Sequence, residues 1–201
     1  MIKAVVFDIG GVLIRTEDDS GRRQLEKLYG VPEGQIDWIV FDSDEAAAST
    51  IGLETSQAVW QAVGNRLGVA PVDLPDFIEM FWQGDVFDQE LFDFLVSLRP
   101  NYITGILSNA WEGARDSFVK RHGMIEGVNV DHLLISAELG VAKPDAEIYR
   151  KLQQRLGVEY REILFVDDFS RNVEGARSMG IEAIQYKAGM DLINQIKSML
   201  N

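Results

Sequence analysis

A chain of 201 residues with 46% apolar and 25% charged residues has the composition of a folded soluble protein, sized for one sizeable domain plus a small insertion. Its formal charge of −13 excludes a basic stripe for nucleic acid or an anionic membrane, and the absence of cysteine excludes disulfides, thiolate catalysis and cysteine-ligated zinc. No apolar run approaches the roughly 18 residues of a membrane span, and no basic-then-apolar leader opens the chain, so a cytoplasmic location is expected.

Ile2 to Phe7 is apolar at every position but Lys3 and rich in β-branched residues, which reads as a strand buried on both faces of a parallel sheet. Asp8 stands where that run ends, and Gly10-Gly11 follow. Ligands of open α/β sheets bind outside the carboxyl ends of the strands, so Asp8 is expected to face a substrate. Gly10 and Gly11 let the backbone come close to a bound group. Arg15 to Ser20 reads as a polar flap or linker, its acids opening a helix. Residues 22–29, 35–41, 57–67 and 74–81 then carry helical spacing between Gly and Pro punctuation. Asp42 to Glu45 is expected as a solvated face or loop. No strand signal for the main sheet interrupts this block, which is predicted to be a helical module inserted between its first and second strands.

From there strands and helices alternate. A helix over 88–98 precedes a strand over 102–107 that ends at Ser108-Asn109, and a helix over 111–122 precedes a strand over 132–135. A loop carrying Lys143 enters a helix that runs to Leu156. The strand over 163–166 stops at Asp167-Asp168, and a helix over 170–179, a strand over 182–186 and a helix over 190–200 complete the pattern. The predicted class is α/β: a Rossmann-like parallel sheet of about five strands with helices on both faces, plus the inserted helical module. Neither His122 nor His132 has a second ligand at metal-site spacing.

All strands of a parallel sheet end on one edge, so Asp8, Ser108, Lys143 and Asp167-Asp168 are expected to converge there. Adjacent carboxylates after a buried strand repel unless a cation or donors offset them. A carboxylate nucleophile, further carboxylates for a hard cation, a lysine and a hydroxyl form the parts of a phosphoryl-transfer centre.

In that order and spacing the four segments resemble the motifs of the haloacid dehalogenase-like (HAD) hydrolase superfamily, over essentially the full length. Phe-Asp-Ile-Gly-Gly-Val-Leu resembles the first motif, Leu-Ser-Asn the second, Ala-Lys-Pro-Asp the third and Phe-Val-Asp-Asp-Phe-Ser-Arg-Asn the fourth. The resemblance implies Asp8 as nucleophile and Lys143 as the group orienting nucleophile and phosphate. It implies substrate contacts at Ser108, Asn109 and Gly11, and Mg2+ held by Asp8, the Gly10 carbonyl and Asp168, with Asp167 and Asn172 supporting that loop. It implies a core of residues 1–15 and 83–201, with 16–82 as a helical cap that closes over the site and shapes substrate choice.

The nearest likeness is to the sugar-phosphate phosphatases of the superfamily, such as those acting on α-glucose 1-phosphate. The expected partner is a small phosphorylated metabolite, not nucleic acid or a membrane, and the protein is expected to be a monomer or homodimer. Gly10 departs from the family pattern: it occupies the position of a second Asp that serves as general acid and base, a group worth about 10²–10⁴-fold in rate. Three readings therefore stand: a magnesium-dependent phosphatase working through an aspartyl-phosphate, a binding or regulatory protein on the same fold, and a 2-haloacid dehalogenase. Trp111 is a candidate for the substrate wall and Arg15 for a substrate contact, whereas Tyr149 reads as a packing residue.

Overall fold

The computed structural model describes residues 1–200. Strand β1 (Ala4–Phe7) is followed by a short strand β2 (Ile14–Thr16) and five helices: α1 (Ser20–Tyr29), α2 (Ile36–Phe41), α3 (Asp44–Thr50), α4 (Ser56–Leu67) and α5 (Leu74–Trp82). Strand β3 (Asp85–Phe87) returns the chain to α6 (Gln89–Ser97), β4 (Ile103–Ser108), α7 (Ala114–His122), β5 (His132–Ile135), α8 (Ser136–Leu139) and α9 (Ala146–Leu156). Strand β6 (Ile163–Asp167), α10 (Ser170–Ser178), β7 (Glu182–Gln185) and α11 (Leu192–Leu200) follow. Among the described residues no helix is long and apolar enough to cross a membrane.

The five-stranded sheet has the order β5-β4-β1-β6-β7, with every neighbouring pair parallel. This is the α/β architecture expected from the alternating pattern. Strand β1 lies in the centre, and all four of its residues are buried because both faces are covered. Side chains alternate across a strand. Val5 and Phe7 therefore pack with Leu91, Leu95, Leu192 and Ile196 of α6 and α11. Ala4 and Val6 pack on the other face with Ile148 and Leu152 of α9 and Val173 and Ala176 of α10. Full burial of each such aliphatic side chain is worth about 1.5–3 kcal/mol.

Helices α1 to α5 bury their own cluster, with Leu25, Ile36, Val40, Trp60, Val63, Phe77 and Phe81 at its centre. Thr55 caps α4 by accepting from the Ala58 amide, so the helix expected over 57–67 begins at Ser56. Asp42 to Glu45 is not simply a solvated loop. Ser43 accepts a hydrogen bond from the Ala46 amide and starts α3, a helix too short and alanine-rich for periodicity to reveal.

Thr16, expected in the helical block, instead lies in β2, which pairs antiparallel with β3. Both chain crossings between the sheet and the helices thus share one ribbon. Three ties brace it: Arg22 to Asp85 at 2.9 Å, Thr16 to Asp85 at 2.6 Å and Arg15 to Asp88 at 2.9 Å. The Glu17 amide donates to the Gly84 carbonyl, and a Cβ on Gly84 would sit 1.6 Å from the Asp18 carbonyl oxygen. That approach admits only glycine. Gly84→Ala is expected to force the two crossings apart and to cost about 1–3 kcal/mol in chemical denaturation, the usual range for overpacking.

Candidate active site

The carboxyl ends of β1, β4 and β6 meet around one ammonium group. Lys143 Nζ lies 2.9 Å from Asp8 Oδ2, 2.6 Å from Asp167 Oδ2 and 2.9 Å from the Leu107 carbonyl oxygen. These three partners match the three protons of a lysine ammonium. The side chain is completely buried, with its charge over the Phe165 ring. Asp8 continues β1, donating its amide to the Val166 carbonyl, and its Oδ1 accepts from the Ile9 amide. Asp167 ends β6 with no exposed surface and accepts from the Phe169 amide and from Asn172 Nδ2.

Asp168, the next residue, is half-buried, and its carboxylate crowds Gly11. A Cβ on Gly11 would fall 2.1 Å from Asp168 Oδ2, and Gly11 has φ of +72°, so this position is closed to side chains twice over. Gly10 differs: a Cβ there would meet nothing within 4 Å. One oxygen from each of Asp8, Asp167 and Asp168 falls within 4.8 Å of the others. Three carboxylates against one lysine leave two negative charges uncompensated. Burial, then repulsion from Asp167, pushes the Asp8 carboxyl up to about 7 against the pull of Lys143, and the same two causes raise Asp168. A hard divalent cation, which favours oxygen donors, fits this donor set and this charge deficit. The otherwise unpartnered, buried Asn172 Oδ1 adds a neutral acceptor to the loop.

The expected residues do not all meet the space in the same way. Ser108 is buried at the end of β4, one position beyond Leu107, which the register sets beside Asp8. Asn109, expected on the substrate, has both ends of its amide on the Lys143 backbone: Oδ1 accepts from the Lys143 amide at 2.8 Å and Nδ2 donates to its carbonyl at 2.9 Å. Its side chain holds the lysine loop. Arg15 does not point to a ligand; it donates to the Val12 carbonyl and pairs with Asp88 and Glu17. Tyr149 is fully buried, and its hydroxyl donates to the Asn172 carbonyl, as a packing residue would.

Trp111 precedes α7 rather than opening it. Its ring lies 5.7 Å from those of both Phe41 and Trp60, so it joins the aromatic cluster of the helical module. The sequence analysis missed Ser136, fully buried at the end of β5. The available signal was the one used for Ser108, a hydroxyl residue directly after an apolar strand.

The family profile of haloacid dehalogenase-like hydrolases matches residues 2–180. The chain belongs to that family. Over 196 residues this hydrolase is 44% identical to phosphatase MT3486 of Mycobacterium tuberculosis, covering 90% of this chain and 86% of that protein. It is 27% identical over 213 residues to D-ribitol-5-phosphate phosphatase of Bacteroides thetaiotaomicron, with both chains fully covered. A HAD family enzyme from the same organism, solved in complex with magnesium and inorganic phosphate, superposes with a TM-score of 0.78 at 23% identity, covering 95% of this hydrolase and 97% of the other chain. At that identity the likeness concerns the fold.

The charge arrangement makes opposite demands on stability. Lys143→Ala strands Asp8 and Asp167 in the interior and is expected to cost about 3–5 kcal/mol. Asp8→Asn is expected to stabilise the metal-free protein at pH 8, by on the order of 1 kcal/mol. Burial holds the folded-state carboxyl at about 7, above the ordinary aspartate value of 3.8. Its penalty is therefore absent below the unfolded value and grows as pH rises through the folded one. The gain from Asp8→Asn should shrink as pH falls from 8 toward 5, measured by urea denaturation in chelator.

Proposed function

We propose that this hydrolase is a magnesium-dependent phosphatase that cleaves the monoester of a small phosphorylated metabolite, with Asp8 as the nucleophile. The observation that carries the reading is the cluster of buried Asp8 and Asp167 with half-buried Asp168 around the Lys143 ammonium. The names of the relatives, a phosphatase and a ribitol-5-phosphate phosphatase, support the same reaction class and a polyol or sugar phosphate as the substrate class.

A magnesium ion, held by the carboxylates of Asp8 and Asp168 and the Gly10 carbonyl, would supply the positive charge that lets a carboxylate approach an anionic phosphate. Lys143 keeps the Asp8 carboxylate aimed and charged. Asp167 and Asn109 hold the lysine at its amine and at its backbone, respectively. One Asp8 oxygen forms a bond to phosphorus as the ester oxygen departs with its electron pair. Ser108 and nearby backbone amides at the strand ends donate to the phosphoryl oxygens, which gain charge in the transition state. Water then attacks the aspartyl-phosphate, releasing inorganic phosphate and restoring Asp8. Gly10 supplies no side chain to protonate the leaving group, so esters of acidic alcohols are favoured over those of simple ones. Helices α1 to α5 act as the cap over this edge, with the β2–β3 ribbon as its root. The three converging acids disfavour a dehalogenase, whose displacement at carbon needs no cation, and the phosphatase names of the relatives favour catalysis over a binding or regulatory protein on the same fold.

Hydrolysis of p-nitrophenyl phosphate in magnesium, abolished by chelator and reduced on the order of 10⁴-fold or more by Asp8→Asn, is the expected result. No turnover of this ester or of any sugar or polyol phosphate in magnesium would defeat the proposal. Gly10→Asp, which enters open space, is expected to raise kcat on alkyl phosphates by up to about 10²-fold. It should change p-nitrophenyl phosphate turnover little, because that leaving group needs no proton.

A further inference from the structure

The helical module touches the sheet domain at a second place, away from the ribbon. The end of α3 rests on α8, where Gly52 is packed so tightly that a Cβ would fall 2.1 Å from the Ala137 carbonyl oxygen. Ser136 lies at the centre of this contact with no exposed surface. Its hydroxyl donates to the Thr50 carbonyl at 2.7 Å and accepts from the Ala110 amide at 3.0 Å. Ser49, also fully buried, accepts from the Glu112 amide at 3.4 Å. Ser49 thus holds the far end of the 110–112 loop directly and Thr50 holds its near end through the Ser136 hydroxyl, and Asn109, one residue before the loop, grips the Lys143 backbone at both polar groups. The path from α3 to the ammonium is continuous: Thr50, Ser136, Ala110, Asn109, Lys143, Asp8.

We infer that Ser136 is a positioning residue for Lys143, coupling the docking of α3 to the geometry of the ammonium that aims Asp8. When α3 is seated, the Ser136 hydroxyl has both a donor and an acceptor, and the loop that carries Asn109 is held. When α3 leaves, the hydroxyl loses its short bond to Thr50, keeping as acceptor the Ala110 carbonyl at 3.3 Å, and the 110–112 loop loses Ser49. The lysine backbone then hangs on a loop with fewer restraints. The module therefore acts on the nucleophile's environment as well as covering it. The kinetic consequence rests on the phosphatase reading, whereas the structural coupling does not.

Two variants test the coupling from opposite sides, Ser136→Ala in the sheet domain and Gly52→Ala in the turn that follows α3. Amide hydrogen exchange on the intact chain without phosphate is expected to speed at Lys143 by about tenfold in both, with Val6 and Phe165 of the central strands unchanged. With p-nitrophenyl phosphate, kcat is expected to fall on the order of 10-fold while KM stays within about twofold, because a misplaced lysine weakens the transition state more than binding. Unchanged exchange at Lys143 in both variants overturns the inference. So does equal acceleration at every core amide, which would make Ser136 a stability residue only. If the parent protein hydrolyses no phosphate ester, the phosphatase reading fails and the exchange result still decides the coupling.

Discussion

The ammonium of Lys143 is the interaction on which the site depends. Its three protons go to Asp8, Asp167 and the end of β4, so one group ties together three strands that are distant in sequence. Buried charges of this kind are tolerated only when paired, and removal of one partner exposes the other to the full penalty of the interior. The lysine is itself held from behind. Asn109 fixes its backbone, and Asn172 and the Phe169 amide saturate Asp167, so the ion pair has little freedom to rearrange. Two negative charges remain, and they are the chemically useful part. A site neutralised by the protein alone would have no demand for a cation.

Sheet topology explains why these groups meet. β1 is central, with β4 on one side and β6 on the other, all pointing the same way. The register sets Asp8 beside Asp167 and Leu107, with Ser108 one position further along β4, although a hundred residues separate Asp8 from Ser108. The helical module inserts after β1 and before α6, so both of its crossings leave and return at the same edge as the site. The ribbon of β2 and β3 ties those crossings, and α3 makes a second anchorage at Ser136. Two attachments on different elements make the module part of the site's framework.

Much of this is legible in the sequence. The apolar runs that end in Asp8, Ser108 and Asp167-Asp168 marked buried parallel strands, and their ends marked one edge. The helix start at Asp88 is readable because a short oxygen-bearing side chain caps it. Three features were not readable. The β2 and β3 strands are three residues each and carry no repeating pattern, because pairing with each other stabilises them. α3 lacks an apolar face long enough to show a period. The side chains of Asn109 and Arg15 look like ligand contacts in sequence, yet both are consumed by partners 34 and 73 residues away.

The sequence by itself determined the fold class and the set of chemically capable residues, because burial and turn chemistry are written locally in residue type and spacing. Tertiary structure decided how those residues divide their labour: which acid Lys143 grips, that Asn109 holds the lysine, that Gly11 is filled by Asp168 while Gly10 faces open space, and that Ser136 joins the two parts of the chain. Such choices depend on distances between segments remote in sequence. A hydrogen bond or a close backbone contact is satisfied by geometry, and many residue types and positions could supply the same partner.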